Sequence, residues 1–132
     1  MKQLLIPVSP GELIDRITVL EIKAERIADE GKLVHIRPEL AALRRILKQN
    51  SVMSDDVEPL RQELREVNET LWEIEDYLRI KESEQAFDDQ FIELARSQYR
   101  NSDRRAELKR RIDETIESEV VEEKSYPAYS TG

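Results

Sequence analysis

The chain has 132 residues, of which 38% are charged, with a formal net charge of −8 at pH 7 and no cysteine. One domain is expected at this length, and the lack of cysteine excludes disulfides, thiolate nucleophiles and cysteine zinc sites. His35 is the only histidine, which excludes histidine metal clusters and histidine-based triads, and the acidic balance argues against general nucleic-acid binding. No metal and no cofactor is expected.

The composition predicts an all-α protein. Three glycines and five prolines accompany 39% hydrophobic residues, which suits long helices with short connections. We expect an antiparallel bundle or helical hairpins of about four helices in residues 1–118, followed by an extended or partly disordered tail in residues 119–132. The longest apolar run near the start, residues 4–8, is too short for a signal-peptide core or a membrane span. A cytoplasmic protein that does not bind membranes is therefore expected.

The chain is predicted to open with a short extended lead, residues 3–8, because prolines restrict the backbone there. Residues 9–12, SPGE, match a capping box with proline at the first helical position. The serine oxygen is expected to accept from the backbone N–H of Glu12, and the carboxylate of Glu12 to reach back to the cap. The first helix is predicted to run to about Glu30, with Gly31 as a left-handed terminator.

The first helix carries apolar residues on two faces. Val19 and Ile22 lie nearly opposite the main apolar stripe. We therefore expect the helix to be covered on both sides, either between neighbouring helices or at a dimer interface. The main stripe follows spacings of three and four and consists of Leu13, Ile17, Leu20, Ala24 and Ile27.

The second helix is predicted to begin near Arg37 and to end near Asn50. The start is placed there because Pro38 is tolerated best in the first turn of a helix. An earlier turn before Pro38 is the alternative.

The third helix is predicted over residues 56–82, with Ser54 or Asp55 as its cap. Trp72 lies off the apolar seam of this helix and is expected to pack against a further element or a second subunit. The seam has coiled-coil spacing and consists of Val57, Leu60, Leu64, Val67, Leu71, Ile74 and Leu78.

A fourth helical region is predicted over residues 87–118 and includes a basic block. Residues 96–111 carry seven basic and two acidic side chains. Residues 101–103, NSD, could interrupt the helix. If the helix is continuous, its apolar seam turns polar for about two turns between Leu94 and Leu108.

This polar interruption supplies the candidate site. Polar groups at core-facing positions cost free energy unless they are paired, which predicts a bound anion, a buried network or a carboxylate of a partner. The alternative is that this part of the helix projects beyond its neighbours and is solvated. The candidate ligand-binding residues are Gln98, Tyr99, Ser102, Arg105 and Lys109.

Four arginines form a separate stripe on the fourth helix, and four carboxylates form a row on the third. The simplest interpretation is that row and stripe face each other across an antiparallel pair or a dimer. The stripe consists of Arg96, Arg100, Arg104 and Arg111, and the row of Glu66, Glu69, Glu73 and Asp76.

Two helical enzyme families offer local resemblances. The spacing of the acidic row is similar to the ExxE and ExxD pairs with which helical nucleotide pyrophosphohydrolases hold a divalent metal. Here both pairs lie on one helix, whereas that family separates them onto two. Residues 13–27, LIDRITVLEIKAERI, resemble the first helix of chorismate mutases, helical dimers whose arginines and lysine clamp a dicarboxylate, but no later ligand pattern matches.

Four segments together resemble a family of short, mostly bacterial helical proteins of unknown function. The segments are VSPGELIDRITVLEIK at 8–23, VNETLWEIEDYLR at 67–79, FIELARSQYRNSDRRAELKRRID at 91–113 and VEEKSYPAY at 121–129. The resemblance runs nearly end to end. It implies a complete protein whose tyrosine-containing tail belongs to the family pattern, and it brings no activity with it.

The function expected is that of a non-catalytic helical binding or assembly module that contacts a small anionic ligand or a carboxylate of an acidic partner, and that self-associates. One alternative is a small helical enzyme acting on a phosphorylated or dicarboxylate substrate, with Glu73 or Asp76 close to Arg105 or Lys109. Another is a purely structural homodimer.

Overall fold

The structure is a computed structural model that describes the backbone of residues 2–131 and the side chains of residues 2–119. Its helices are α1 (Pro10–Arg26), α2 (Glu30–Gln49), α3 (Glu58–Ser83) and α4 (Asp89–Thr131). No strand occurs in residues 2–131, and the predicted all-α class with about four helices is confirmed. The α4 backbone continues as helix into the predicted tail, residues 119–132. The side chains from residue 120 onward lie outside the described residues, so the packing of the tail stays a prediction.

The helices form two antiparallel hairpins, α1–α2 and α3–α4, and α1 also lies against both helices of the second hairpin. The pairing of α1 with α4 is antiparallel, because Glu12 contacts Lys109 while Asp15, further along α1, contacts Arg105. Helix α1 is therefore the central element that joins the two hairpins.

Only one of the two hydrogen bonds of the predicted capping box forms at the start of α1. The Ser9 hydroxyl oxygen accepts from the backbone N–H of Glu12 at 3.2 Å, as predicted. The carboxylate of Glu12 does not reach back to the cap but accepts from Lys109 Nζ at 2.8 Å. A lysine ammonium is a charged donor and the cap N–H is not, so the cross-helix contact is the stronger one.

The predicted boundary between the first two helices was wrong. Helix α1 ends at Arg26, and Asp29 caps α2 by accepting from the backbone N–H of Gly31 at 2.8 Å. Gly31 consequently lies in the first turn of α2 and does not terminate α1. Aspartate is a strong N-cap residue, so the helix starts at the first site that offers one.

Pro38 lies inside α2, which begins at Glu30, whereas the sequence predicts that this helix begins near Arg37. Proline removes one backbone hydrogen bond of the helix. The turn before it is nevertheless helical, with Leu33 buried and Ile36 packed against the core on α1. Burial of these two side chains offsets the lost bond.

The core consists of two clusters on either side of α1, which confirms that both faces of this helix are covered, here by neighbouring helices of the same chain. The cluster toward α2 consists of Leu13, Ile17, Leu20 and Leu40. The cluster toward α3 and α4 consists of Ile14, Val52, Val57, Leu60, Leu64, Leu108 and Ile112.

Helix α4 is continuous through residues 101–103, where the sequence left a break open. The Asn101 side chain bonds back to the carbonyl of Ser97 at 2.8 Å within the helix. Because there is no break, the seam keeps its phase, and Leu108 and Ile112 are fully buried.

The α3–α4 hairpin projects past the end of α1. Ion pairs from α1 reach α3 as far as Glu73, through Arg26. Further along, the described contacts join α3 and α4 to each other, as in Gln98 to Glu75 and Lys81 to Asp88. We call residues 75–98 the two-helix extension. Exposed apolar side chains on it are Tyr77, Ile80, Phe87 and Ile92.

None of the helices in the described part of the chain combines the length and the apolar character needed to cross a membrane.

Candidate functional site

A buried polar cluster lies where α1 and α3 meet. Asp15 is only 1% exposed, and Thr18 and Asn68 are buried beside it. The Asn68 amide nitrogen donates to Asp15 Oδ1 at 2.9 Å and to Thr18 Oγ1 at 2.8 Å. The Thr18 hydroxyl in turn donates to the backbone carbonyl of Asp15 at 2.8 Å. Each side chain of the cluster thus has a partner, which a buried polar group requires.

Arg105 of α4 completes this cluster with a bidentate ion pair. Its Nε donates to Asp15 Oδ1 at 2.9 Å and its Nη2 to Asp15 Oδ2 at 2.5 Å. These hydrogen bonds are the main cause that raises the pKa of Arg105 above its ordinary value, which keeps the guanidinium charged. The buried carboxylate of Asp15 therefore has two partners, the charged guanidinium of Arg105 and the neutral amide of Asn68.

Lys109 stands one turn further along α4 and faces the same side of α1. Its Nζ lies 2.8 Å from Glu12 Oε2 and 4.0 Å from Asp15 Oδ2. Two cations spaced four apart on α4 thus face two carboxylates spaced three apart on α1. Residues at these spacings share one helical face, so the two charged pairs fix how far α1 is shifted along α4.

Gly11 lets the two helices approach closely enough for these contacts. A Cβ atom at Gly11 would lie 2.4 Å from the carbonyl oxygen of Lys109. The backbone N–H of Gly11 donates to Asp113 Oδ1 at 2.7 Å. The carboxylate of Asp113 therefore occupies the N-terminal end of α1, a position that favours a negative charge.

A cleft of about 290 Å³ opens beside this network, between α1, α2 and α4. Arg105 is 37% exposed at its side chain and lies on the wall of the cleft, with Nε and Nη2 directed to Asp15. Two further cations of α1, Arg16 and Lys23, line the same cleft. The lining residues are Glu12, Asp15, Arg16, Val19, Leu20, Lys23, Glu39 and Arg105.

The five candidate residues are divided by the structure. Arg105 and Lys109 lie together in the network under the cleft. Gln98 lies on the two-helix extension and reaches Glu75 through a long contact of 3.5 Å. Tyr99 is 71% exposed, and Ser102 is exposed too. The structure thus brings Arg105 and Lys109 together and places Gln98, Tyr99 and Ser102 away from them, and ligand binding by these five residues stays a prediction.

Within one chain, the acidic row and the arginine stripe do not face each other, and their meeting across a dimer stays a prediction. Glu73 bonds to Arg26 of α1 at 3.2 Å, and Glu69 bonds to Arg65 of its own helix at 3.0 Å. In the stripe, Arg104 pairs with Glu63, which is not a member of the row, at 2.9 Å. At 3.6 residues per turn, the row lies about half a turn away from the seam that faces α4, so α4 is beyond its reach.

Glu73 and Asp76 do not approach the basic residues as the enzyme hypothesis requires. Glu73 is bonded to Arg26, and neither residue lines the cleft that holds Arg105. Within the described side chains, no three metal-ligating groups come together in a way that could hold a metal ion.

Sequence reasoning missed the partners of Arg105. Asp15 precedes Ile22 by seven residues and so lies on the second apolar face of α1, and Asn68 falls between the buried Leu64 and the half-buried Leu71. The signal was thus available in both helices. The signal is a polar residue at a position where the helical period expects an apolar one, and it is also the signal that identified Arg105.

A family model matches residues 4–131, which is nearly the whole chain. The chain belongs to DUF6165, a family of unknown function. Neither the curated proteins nor the solved structures gave a match. This membership confirms the predicted resemblance to a family of unknown function.

Proposed function

We propose that this DUF6165 protein is a non-catalytic binding or assembly module whose cleft beside Arg105 takes a small anionic group, such as a phosphate or the carboxylate of a partner. The observation that carries the proposal is the position of Arg105. Its guanidinium is held rigidly by Asp15 and is still 37% exposed on the cleft wall. A guanidinium fixed in this way presents its remaining donors without further loss of side-chain entropy.

Arg16 and Lys23 supply the positive charge that an incoming anion would meet. Arg105 is already paired with Asp15, so it orients the ligand more than it neutralises it. Arg16 is 3.9 Å from Glu12, a long and solvent-exposed ion pair that contributes little. Lys23 lies on the same cleft wall, about two turns further along α1.

Binding of anions to the full chain tests this proposal. Isothermal titration calorimetry with inorganic phosphate, small dicarboxylates and sugar nucleotides should identify at least one that binds. Lys23→Gln and Arg16→Gln should each weaken that binding by about tenfold or more, because each removes a cation from the cleft without touching the buried cluster.

Arg110→Gln is the matched control. Arg110 is an exposed α4 residue whose ion pair is with Glu114, outside the cleft. Its removal changes the net charge by the same amount and should leave binding unchanged. The proposal fails if none of the anions binds, or if all three variants weaken binding equally, since that would indicate a general charge effect.

Self-association, also expected from the sequence, would be a separate property of the module.

A further inference from the structure

The lead before α1 exposes a row of large aliphatic side chains. Residues 2–8 have no regular structure, and the exposed fraction of the four apolar side chains Leu4, Leu5, Ile6 and Val8 ranges from 44% to 92%. Single exposed aliphatic residues are ordinary on protein surfaces, but four within five residues form a contiguous patch. Such a patch indicates a segment that is buried in a larger assembly.

Two prolines hold this lead away from its own helices. Pro7 and Pro10 have fixed φ angles and restrict the residues before them, Ile6 and Ser9, to extended backbone. Ser9 accordingly has φ −75° and ψ 159°. No turn occurs in residues 2–8, so the lead does not fold back along α1. Its apolar side chains therefore face outward, where another molecule can reach them.

An apolar groove lies at the other end of α1. A cavity of about 210 Å³ between α1, α3 and α4 has mainly apolar walls, and Glu75 is shared between it and a second cavity of about 290 Å³ on the two-helix extension. The two cavities therefore adjoin at Glu75, and we call them together the groove. The near cavity is also lined by the polar residues Asn68 and Arg105. Apolar residues along it are Val19, Ile22, Leu71, Trp72, Leu78 and Phe91.

The lead and the groove match in length and in charge. Counted at 1.5 Å per residue, the helix from Leu71 to Glu82, along which the groove runs, is about 18 Å long. The five residues of the lead from Leu4 to Val8 span about 17 Å when extended. One positive charge, on Lys2, directly precedes the lead. The far part of the groove carries Glu75 and Glu82 against Arg79, and the near part carries Arg105. A positive segment thus meets a groove with an acidic end.

We propose that the lead of one copy of this chain lies in the groove of a second copy, and that the exchange is reciprocal. Each copy has one lead and one groove, so a dimer with twofold symmetry covers both apolar surfaces and leaves no site open for further addition. The half-buried Trp72 then packs against the leucines of the partner's lead. This dimer does not rest on anion binding, although Arg105 lines both the groove and the cleft.

Variants in the lead test the exchange. Analytical ultracentrifugation of the full chain should show a dimer, and Leu5→Asp with Ile6→Asp should raise its dissociation constant at least tenfold. The two side chains are exposed within the copy that carries them, so folding, followed by circular dichroism, should not change. Val34→Asp, which places the same charge on an exposed aliphatic residue of α2, is the control and should leave the dimer intact.

Cross-linking identifies where the lead binds. The chain has no cysteine, so Leu5→Cys and Ala95→Cys chains can be prepared separately, mixed and treated with a short bis-maleimide. The mixture should give more cross-linked dimer than either chain alone. A protein that is monomeric at all concentrations overturns the proposal, as does a dimer that the lead variants leave unchanged. Cross-linking within one monomeric chain carrying both changes would assign the groove to its own lead and also overturn it.

Discussion

Arg105 and Gln98 lie on the same helix and at the same helical phase, seven residues apart. Arg105 belongs to the buried network, and Gln98 belongs to the two-helix extension. Arg105 makes two short bonds to a carboxylate that is 1% exposed. Gln98 makes one long contact to a half-buried glutamate. The difference comes from α1, which supplies a buried carboxylate to Arg105, whereas the hydrogen bond described for Gln98 runs to α3.

A polar residue at a core-facing phase therefore has no fixed meaning within one helix. Where a third helix covers it, it is desolvated and must be paired, and the pair then fixes the register of the helices. Where the described partner lies on α3 alone, as at Gln98, the side chain is half-buried and makes a single long contact. Both interpretations of the polar interruption hold, each at a different end of α4.

Removing the polar side chain at each of these two positions, Arg105 and Gln98, should give the largest contrast. Arg105→Ala leaves the Asp15 carboxylate buried without its cation, and we expect the free energy of unfolding to fall by about 3 kcal/mol, the lower end for a broken buried pair because water reaches Arg105. Gln98→Ala should change it by less than about 0.5 kcal/mol. Urea unfolding followed by circular dichroism measures both.

A double variant separates the uncompensated charge from lost packing. Asp15→Leu combined with Arg105→Leu removes both charges and should recover much of the stability that Arg105→Ala loses. If the double variant is as unstable as the sum of its single variants, the two side chains do not act as a pair.

The close approach of α1 to α4 can be broken at Gly11. Gly11→Ala places a Cβ atom 2.4 Å from the Lys109 carbonyl oxygen, and the helices must separate. We expect a loss of about 2 kcal/mol, measured by urea unfolding. Gly31→Ala is the control, since it too lies in a first helical turn, but the nearest atom is a capping oxygen at 3.1 Å. It should be neutral or stabilising by up to about 1 kcal/mol, and equal losses in both variants would contradict the explanation.

A smaller effect should separate a buried threonine from an exposed one. Thr18→Val keeps the shape of the side chain but removes the hydroxyl that joins Asp15 to Asn68, with an expected loss of about 1 kcal/mol. Thr70→Val removes an exposed hydroxyl bonded to the carbonyl of Glu66 and should change stability by less than about 0.5 kcal/mol. Thermal unfolding of both variants beside the natural chain provides the measurement.

The smallest effect is expected at the tip of the extension and should depend on pH. The Lys81 ammonium, and then the backbone N–H of Phe91, hold the pKa of Asp88 below its ordinary value. The charged form therefore stabilises the fold above about pH 4, and this contribution is lost as the pH falls through the folded-state pKa. Asp88→Asn should lower the Tm slightly at pH 7, and the gap to the natural chain should close near pH 2. A gap of constant size across that range would show that the charge plays no part.

The sequence by itself determined the helical class, the first cap at Ser9, the seam of α3 and the presence of a polar interruption near Arg105. These features depend on residues close together in the chain, through periods of three and four and through one capping hydrogen bond. The error at Gly31 came from a competing local signal, the Asp29 cap, and the error at Pro38 from burial that a neighbouring helix provides.

Only the tertiary structure decided which charges meet. The arginine stripe was assigned to the acidic row by sign alone, whereas Arg104 pairs with Glu63, and Glu73 with Arg26. The partner of Arg105 is Asp15, ninety residues away in the chain. Such pairings depend on how far each helix is shifted along its neighbour and on where it ends. That is set by the packing of α1, and for this reason no spacing within a single helix reveals it.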